Sequence, residues 1–280
     1  GDCTSIGIWD WATKTCTLTK DVYEPIQIDS DYITLDGNGH TVIGTGYQEV
    51  VYLLSRIGVT IKNLNVKNAD YSGIYLSHSN NNTLSGNTIS NNYLGITLYF
   101  SNSNIITDNT AEYNVYAINA GYSTDNTFTG NVVSRNYGAG FVLGYSSNNT
   151  LTDNIVSGTT GYGCCGGYGI YLDSNSRNNS LEDNIVLNNI FGFVIDGGYN
   201  NAFVGSTACN NTTYDFFVNG TVTGSDNICD KMYPDDNPIK CIPCSVAGID
   251  TVPPTVTVTA TPNILWPPNH KMVNQAIFSV

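Results

Sequence analysis

Apolar and polar residues alternate in short runs along the middle of the chain, and the runs recur about every 22 residues. Segments of one pattern begin at Asn82, Asn104, Asn126, Asn149, Asn179 and Asn201. Their starts are 22, 22, 23, 30 and 22 residues apart. A sequence period of this size indicates a solenoid in which each repeat forms one turn.

Equivalent positions of the repeats form columns of like residues. The large apolar column is Leu84, Ile106, Phe128, Leu151, Leu181 and Phe203. A smaller apolar column is Ile89, Ala111, Val133, Val156, Val186 and Ala208, and a second strand adds Ile74, Ile96, Ile118, Phe141, Ile170 and Phe193. The period of two within each run predicts strands with one buried face. Because 22 residues are too few for a strand and a crossover helix, we predict an all-β, right-handed parallel β-helix of about eight turns.

An amide column accompanies the apolar ones. It consists of Asn87, Asn109, Asn131, Asn154 and Asn184, and it ends in Ser206. Asn tolerates the left-handed backbone of tight corners, and stacked amides hydrogen-bond to one another along a cross-β axis. We therefore interpret this column as structural, with each Asn serving both as a corner and as a rung of a ladder.

The ends of the chain differ from the repeats, and the sequence divides into four parts. We assign residues 1–30 to an N-terminal cap, 31–220 to the β-helix, 221–250 to a Cys- and Pro-rich cap and linker, and 251–280 to a short β tail. Trp9 and Trp11 would cover the first turn, the alternative being an aromatic sugar-binding platform. No proline lies between Pro25 and Pro234. Since proline lacks the N–H that a sheet needs, the coil should end before Pro234.

The chain has eight cysteines, an even number that favours an oxidising compartment. They are Cys3, Cys16, Cys164, Cys165, Cys209, Cys229, Cys241 and Cys244. We expect a Cys3–Cys16 disulfide in the N-terminal cap. The last four suggest two disulfides of open connectivity, with a zinc site as the alternative. The adjacent Cys164 and Cys165 lie in an insertion at residues 159–167. They should reach separate partners, because a bond between neighbouring cysteines is strained. A metal or redox site is the alternative.

The stretch YITLDGNGHTVI at residues 32–43 and the NNTLSGNTISNNYLGITL units resemble NosD-like and pectate-lyase-like right-handed β-helix proteins. This resemblance extends over roughly residues 17–220. It implies the fold but not an activity, because such families include lyases, hydrolases, epimerases and structural proteins. The tail segment LWPPNHKMV resembles the start of an immunoglobulin-like surface module of bacteria and archaea. Such a sandwich needs about 100 residues, so the tail is either a truncated module or a connector that adds a strand to a neighbouring subunit.

Composition narrows the choice of partners. The net charge is −13, and charged residues make up only 12% of the chain. This acidic balance argues against nucleic acid and anionic membranes, and no run of 18 apolar residues suggests a membrane span. The chain begins at Gly1 without a signal peptide, as a processed product would. Six sequons are possible N-glycosylation sites: Asn81, Asn148, Asn178, Asn210, Asn211 and Asn219.

Residues suited to catalysis are few. Asp36 and His40 could form an acid–base pair, but the Asp-Gly-Asn-Gly turn between them favours a corner. The strongest remaining cluster lies in neighbouring turns near the insertion: Asp173, Arg177, Glu182, Asp183 and Asp196. Two carboxylates at a suitable separation could hydrolyse a glycosidic bond. The G-H-G and R-x-K motifs of the family's hydrolases do not occur, so we expect no catalysis.

We therefore predict an extracellular or cell-surface structural protein of a bacterium or archaeon. It would be a stiff β-helix that acts as a surface-layer, sheath or filament subunit, self-associating through its tail and using no cofactor or metal. The alternatives are a glycan-binding surface module, which would use rows of the 19 Tyr residues and the 159–167 loop, or a polysaccharide lyase or hydrolase.

Overall fold

The computed structural model describes residues 3–46, 48–163, 165–236, 238–245 and 247, without the side chain of Cys165. The predicted immunoglobulin-like tail at 251–280 lies outside these residues, as does the predicted role of Cys164. Within the described residues, the only helical element is a 3-10 turn at Cys3–Ser5, and no helix is long and apolar enough to cross a membrane.

Thirty strands, most of them short, account for the fold of the described residues. The first fifteen are β1 Gly7–Asp10, β2 Thr15–Leu18, β3 Ile26–Ile28, β4 Thr34–Asp36, β5 Thr41–Ile43, β6 Val51–Leu54, β7 Thr60–Lys62, β8 Asn65–Lys67, β9 Ser72–Ser77, β10 Thr83–Ser85, β11 Thr88–Ser90, β12 Leu94–Tyr99, β13 Ile105–Thr107, β14 Thr110–Glu112 and β15 Tyr116–Gly121. The others are β16 Thr127–Thr129, β17 Val132–Ser134, β18 Ala139–Gly144, β19 Thr150–Thr152, β20 Ile155–Ser157, β21 Gly161–Tyr162, β22 Cys165–Gly166, β23 Tyr168–Leu172, β24 Ser180–Glu182, β25 Ile185–Leu187, β26 Phe191–Val204, β27 Thr207–Cys209, β28 Tyr214–Cys229, β29 Met232–Tyr233 and β30 Ile239–Ile242.

The strands wind into a right-handed parallel β-helix, as the period predicts, with about nine turns instead of the predicted eight or so. Each turn gives one strand to each of three parallel sheets. Sheet 1 contains β2, β4, β7, β10, β13, β16, β19 and β24, sheet 2 contains β5, β8, β11, β14, β17, β20, β25 and β27, and sheet 3 contains β3, β6, β9, β12, β15, β18, β23 and β29. The long strands β26 and β28 contribute to more than one sheet. We call the bends between sheets 1 and 2, 2 and 3, and 3 and 1 corners 1, 2 and 3.

The predicted apolar columns fill the interior in register. Leu84 pairs with Ile106, and Ile106 pairs with Phe128. All members of the three columns are buried, because like residues stack over like at every turn. A glycine column in sheet 3 permits close packing. A Cβ on Gly140 would lie only 2.4 Å from Val156 Cγ1 and 2.6 Å from the Gly169 oxygen, so a side chain there would clash with the core.

The amides form three buried ladders, one at each corner. Asn109 is typical: its Nδ2 donates to Asn131 Oδ1 at 3.0 Å, and its backbone N–H donates to the same oxygen at 3.0 Å. The ladders at corners 2 and 3, which include Asn114 and Asn126, were not predicted. The left-handed residue at a corner is the one before the ladder amide, as with Asp108 (φ 55°). The prediction that one Asn performs both tasks is therefore wrong. One residue adopts the left-handed backbone that turns the chain, and the next residue directs its amide inward into the ladder.

The coil is longer than predicted at its C-terminal end. Parallel pairing continues through β29 and β30, whose Ile239 lies opposite Gly224. The expectation that the coil ends before Pro234 is wrong, because Pro234 and Pro238 lie between these two strands and not within them. No ladder N–H is needed from a residue outside a strand.

Among the described residues, three disulfides close the two ends of the coil. Cys3 bonds to Cys16 as predicted. At the C-terminal end Cys209 bonds to Cys244 and Cys229 to Cys241. The prediction of two disulfides there is confirmed, which excludes the zinc alternative for these four sulfurs.

The N-terminal cap is a hairpin, in which β1 pairs antiparallel with β2. It covers the edge of sheet 1. Trp9 packs partly against the core, but the Trp11 side chain is 85% exposed, and its ring meets the Trp9 ring edge to face with centroids 5.8 Å apart. The prediction that both tryptophans cover the first turn therefore holds for Trp9 and is wrong for Trp11.

Candidate functional site

A column of stacked aromatic rings runs along the outside of corner 3. Its members are His78, Phe100, Tyr122 and Tyr145, each directly after a strand of sheet 3. Successive ring centroids are 5.3, 4.9 and 4.7 Å apart, with near-parallel planes. The spacing follows from the fold, because the separation of adjacent strands is close to the distance between the centroids of stacked aromatic rings.

All four aromatic residues have left-handed backbones, with φ between 47° and 53°. Bulky residues are rare in this region, and each such residue costs about 1 kcal/mol or more. The left-handed turn directs each ring outward, so Phe100, Tyr122 and Tyr145 are 40–50% exposed. The corner therefore holds a rigid, exposed apolar surface that the core does not require.

The column stops at Tyr145, because one extra residue enters the next turn. Leu143 pairs with Leu172, but Ser146 meets Ser176. Ser174 takes the place of the next ring. From the sequence, the 30-residue spacing between Asn149 and Asn179 is explained by an insertion at residues 159–167 alone. In the structure, one of the additional residues lies here instead. A notch lies beside this irregularity, and both Tyr145 and Tyr122 line it.

The notch has a volume of about 620 Å³. Its lining residues are Tyr122, Thr124, Tyr145, Ser147, Asn148, Asn175, Arg177, Asn178, Tyr199 and Asn200. None of them carries a carboxylate, and Arg177 is the one cation. The surface therefore combines aromatic rings with neutral amides and hydroxyls, which can both donate and accept hydrogen bonds.

Arg177 and Tyr199 line the notch from two adjacent turns, where their backbones form a parallel bridge. The guanidinium carbon lies 5.6 Å from the centroid of the Tyr199 ring, and Nη1 donates to the Tyr199 hydroxyl. Among the described residues, no carboxylate lies within ion-pair distance of Arg177. The ring holds the guanidinium in place while its other N–H donors remain available.

The amides of the notch rest on a rigid base. Asn148, Asn178 and Asn200 are exposed and left-handed. Each precedes a buried amide of the corner 3 ladder; Asn149, for example, donates to Asn179 Oδ1 at 3.1 Å. The exposed amides are thus positioned by the ladder beneath them.

The structure divides the predicted catalytic cluster. Asp173 and Asp196 occupy equivalent positions at the ends of adjacent sheet 3 strands, since Leu172 pairs with Ile195. Tyr171 donates its hydroxyl to Asp196 Oδ2 at 3.4 Å. Burial raises the pKa of Tyr171 to about 12, and the charges of Asp196 and Asp173 add to the rise. A tyrosine that holds its proton so firmly is poorly suited to act as a base.

The remaining members of the cluster are elsewhere or engaged. Glu182 and Asp183 lie at corner 1, with Asp183 in a left-handed turn (φ 53°). Asp173 Oδ1 accepts hydrogen bonds from the Tyr145 N–H at 2.9 Å and the Ser176 hydroxyl at 2.9 Å. Asp173 therefore stabilises the turn around the extra residue. The cluster does not form a single site.

Asp36 and His40 do not pair with each other. Asp36 contacts Lys62 at 3.3 Å and accepts the Asn38 N–H at 2.9 Å, whereas His40 Nδ1 lies 3.6 Å from Asp21. The interpretation of this segment as a structural corner is confirmed.

The sequons differ in accessibility. Asn81, Asn148 and Asn178 are exposed at corner 3, Asn219 is exposed, and Asn210 is partly exposed. Asn211 is fully buried, and its Nδ2 donates to Asp215 Oδ1 at 2.8 Å. The prediction of a glycosylation site at Asn211 is therefore wrong, because its amide is buried in the corner 2 ladder.

Sequence reasoning missed the notch and misplaced the loop. The aromatic column has a sequence signal, since its rings lie 22 or 23 residues apart directly after predicted strands, but the number of tyrosines alone does not reveal it. The insertion forms the β21–β22 hairpin at corner 2, so the 159–167 loop does not line the notch. In the described part of the chain, no group of three or more His, Cys, Asp and Glu residues could hold a metal ion.

Comparisons with known proteins agree with this architecture. The family described as "Right handed beta helix region" matches residues 26–165. A search of curated proteins found no match. The solved structures that are similar include pectate lyase Pel9A, with 14% identity, a TM-score of 0.60, and coverage of 81% of this chain and 70% of that one.

Two further structures have the same fold. An alginate lyase from Paenibacillus sp. str. FPU-7 is 16% identical with a TM-score of 0.53, covering 79% of this chain and 87% of that one. Tailspike protein 2 from Escherichia coli O157:H7 bacteriophage CAB120 is 13% identical with a TM-score of 0.53, covering 77% of this chain and 37% of that one. At these identities the likeness shows the fold alone.

Proposed function

Because the chain belongs to the right-handed β-helix family, a fold that polysaccharide lyases and a phage tailspike share, we propose that it is an extracellular, non-catalytic module that binds glycans at corner 3. The observation that carries the proposal is the notch that Tyr145 lines together with the Arg177–Tyr199 pair. Sugars stack their C–H faces on aromatic rings and present hydroxyls at their rims, which the amides and Arg177 can bind.

Charge favours a neutral glycan. The chain carries a net charge of −13, which repels polyanions at long range. The notch adds only one positive charge against this field. Neutral hydroxyl groups suit its Asn, Ser and Thr side chains, which accept as well as donate.

Absence of catalysis is part of this proposal. The carboxylates of the predicted cluster stabilise turns or face Tyr171, and none lines the notch. Glycoside hydrolysis needs two carboxylates across the scissile bond. We therefore expect binding without product release from either uronate or neutral polysaccharides.

A glycan array followed by calorimetry on the best neutral glycan tests the proposal. Tyr145→Ala should weaken binding at least 10-fold, because it removes the stacking face. The matched control is Tyr113→Ala, which removes an exposed tyrosine of similar left-handed backbone (φ 57°) at corner 2. Equal affinities for the two variants, or the absence of any glycan ligand, would reject the proposal.

A second candidate function is that of a structural subunit that self-associates at the cell surface. The observation that favours it is the exposed apolar surface at the N-terminal end, where Ile8 is 67% and Trp11 85% exposed. Large exposed apolar side chains that cluster at one end of a molecule are typical of contact surfaces. Measuring sedimentation velocity over a range of protein concentrations tests this candidate, and a monomer at every concentration would reject it.

A further inference from the structure

The first turn of the coil leaves one strand edge unpaired. Within the described residues, β3 pairs only with β6, whereas the equivalent edge of sheet 1 is covered by β1. The Ile26 N–H donates to the Val50 oxygen at 2.8 Å. Because backbone groups alternate in direction along a parallel strand, the N–H and C=O of Gln27 point away from β6, towards the open end.

This edge borders a groove of about 770 Å³. One wall is the capping segment from Cys3 to Trp9, and the other is β3 with its flanking residues. The floor is apolar and contains Val22, Ile33 and Leu35. An open strand edge above an apolar floor is the geometry that accepts an added strand.

The inward columns of sheet 3 specify what the added strand should look like. Ile26 and Ile28 continue the columns of Val51 and Leu53, with Gln27 turned outward between them. One further rung would therefore read apolar, polar, apolar. The chain contains such a run at residues 255–260, TVTVTA, in which Val256 and Val258 flank Thr257.

The length of the chain decides whose segment can bind there. Sheet 3 has ten strands from β3 to β29, so the ends of the coil are about 43 Å apart at about 4.8 Å per strand. Val256 is nine residues beyond Ala247 and reaches at most about 32 Å from it. A copy cannot fill its own groove with this segment, but a neighbouring copy can.

We propose that residues 255–260 of one copy add as a strand to β3 of a second copy, with Val256 and Val258 over Ile26 and Ile28. The contact is head-to-tail, so each copy has one donor segment and one groove, and association propagates into open chains. The proposal rests on the second candidate function, self-association, and supplies its site. It is independent of glycan binding at corner 3.

Point variants of the full chain test both sides of the contact. Gln27→Pro removes the outward N–H without removing a bond to β6, and Gln27→Ala is its control, since it loses the same side chain but keeps the N–H. Val256→Asn with Val258→Asn makes the donor face polar. Thr255→Asn with Thr257→Asn is its control, because it alters only the outward positions.

Sedimentation velocity gives the readout, with circular dichroism to verify folding. Wild type and both controls should associate. The double valine variant should associate about 100-fold more weakly, the loss expected when two valines are no longer buried. Gln27→Pro should also associate more weakly than Gln27→Ala, because proline cannot donate the backbone hydrogen bond to the added strand. The decisive sample is a 1:1 mixture of the two defective variants. One carries an intact donor and the other an intact groove, so the mixture should form heterodimers and nothing larger.

The outcomes separate this proposal from its premise. A wild type that stays monomeric at all concentrations overturns both the strand addition and self-association. This result is expected if residues 255–260 belong to an immunoglobulin-like sandwich instead. Association that all variants retain overturns the strand addition alone and places the contact on another surface. Glycan binding by Gln27→Pro should equal that of wild type in either case.

Discussion

The guanidinium of Arg177 lies over the ring of Tyr199 at 5.6 Å from its centroid, and the two residues face each other across adjacent turns of the coil. Arg135 lies over Tyr113 at 5.7 Å in the same relationship, but at corner 2 and with Glu112 as a partner at 3.3 Å. The fold thus supplies a matched pair of arginines. One borders the notch without a carboxylate partner among the described residues, and the other has such a partner and lies away from the notch.

We expect Arg177→Ala to weaken glycan binding about 10- to 100-fold, the loss expected for hydrogen bonds from a charged donor of about 1.5–3 kcal/mol. Arg177→Lys should recover little of this affinity, because an ammonium group cannot stack on Tyr199 as a planar guanidinium does. Isothermal titration calorimetry provides the measurement. Arg135→Ala is the control and should bind as wild type does; a comparable loss there would show that the effect is not local to the notch.

The amide ladders should be a major source of stability. Asn131→Ala leaves the backbone N–H of Asn109, which reaches Asn131 Oδ1 at 3.0 Å, without an acceptor inside the coil. It also removes the hydrogen bonds of Asn131 to Asn109 Nδ2, which keeps the oxygens of Leu84 and Thr107, and to the Ile106 oxygen. We expect a loss of about 3 kcal/mol in the free energy of unfolding, since one buried unsatisfied group costs about 1–3 kcal/mol and each lost hydrogen bond about 1 kcal/mol.

Denaturant unfolding followed by circular dichroism measures this loss. Thr129→Ala is the control. This side chain points outward at the end of β16, so its loss should change stability by no more than about 0.5 kcal/mol. Similar midpoints for the two variants would contradict a stabilising role for the ladder.

Tyr171 should titrate well above the ordinary pKa of a tyrosine. Its pKa is raised from 10.0 to about 12 by burial first, and then by Asp196 and Asp173. The unfolded chain releases this proton near pH 10, whereas the folded chain keeps it until about pH 12. The contribution of Tyr171 to stability is therefore complete below pH 10 and is lost as the pH rises from 10 to 12.

Absorbance at 295 nm during alkaline titration detects tyrosinate, and Tyr171→Phe should remove the latest step. Asp196→Asn should move that step to lower pH, because it removes a neighbouring negative charge. Asp183→Asn at corner 1 serves as the control and should leave it in place. A Tyr171→Phe curve with an unchanged late step would disprove the assignment.

Reduction should loosen the C-terminal end before the middle. The Cys209–Cys244 bond spans 35 residues and Cys229–Cys241 spans 12; by loop entropy they contribute about 4 and 3 kcal/mol. Hydrogen exchange after reduction should therefore speed up in β28 and β30. None of the cysteines in the three observed disulfides lies in the central strands β10 to β19, so these strands should exchange at unchanged rates. Uniform acceleration along the coil would contradict this account.

Much of the coil was predictable because its physics is local and repeated. Leu84, Ile106 and Phe128 fall at equal intervals, and equal intervals can face one interior only if the turns stack. The same logic extends to Asn109 and Asn131. It failed where two neighbouring residues share a corner: the sequence shows Asp108 and Asn109 side by side, but only backbone direction decides which is left-handed and which enters the ladder.

The candidate site required the structure, because it arises from a break in the repeat. A single extra residue between Leu172 and Ser176 ends the aromatic column at Tyr145, and in the sequence that residue merges with the longer insertion nearby. The predicted catalytic residues likewise lie close together in the sequence, between Asp173 and Asp196. Asp183 and Asp196 nonetheless lie at different corners, since neighbours in sequence are carried around the coil by each bend.

The sequence by itself determined the architecture: the period fixed the turns, the alternation fixed which side chains are buried, and the cysteines indicated closed, oxidised ends. Only the tertiary structure decided where the surface departs from uniformity, in the notch at corner 3, the free edge of β3 and the continuation of the coil past Pro234. The physical reason is that burial is a property of each residue's own position in the repeat. A site, in contrast, depends on which residues of different turns meet, and an offset of one residue changes that set.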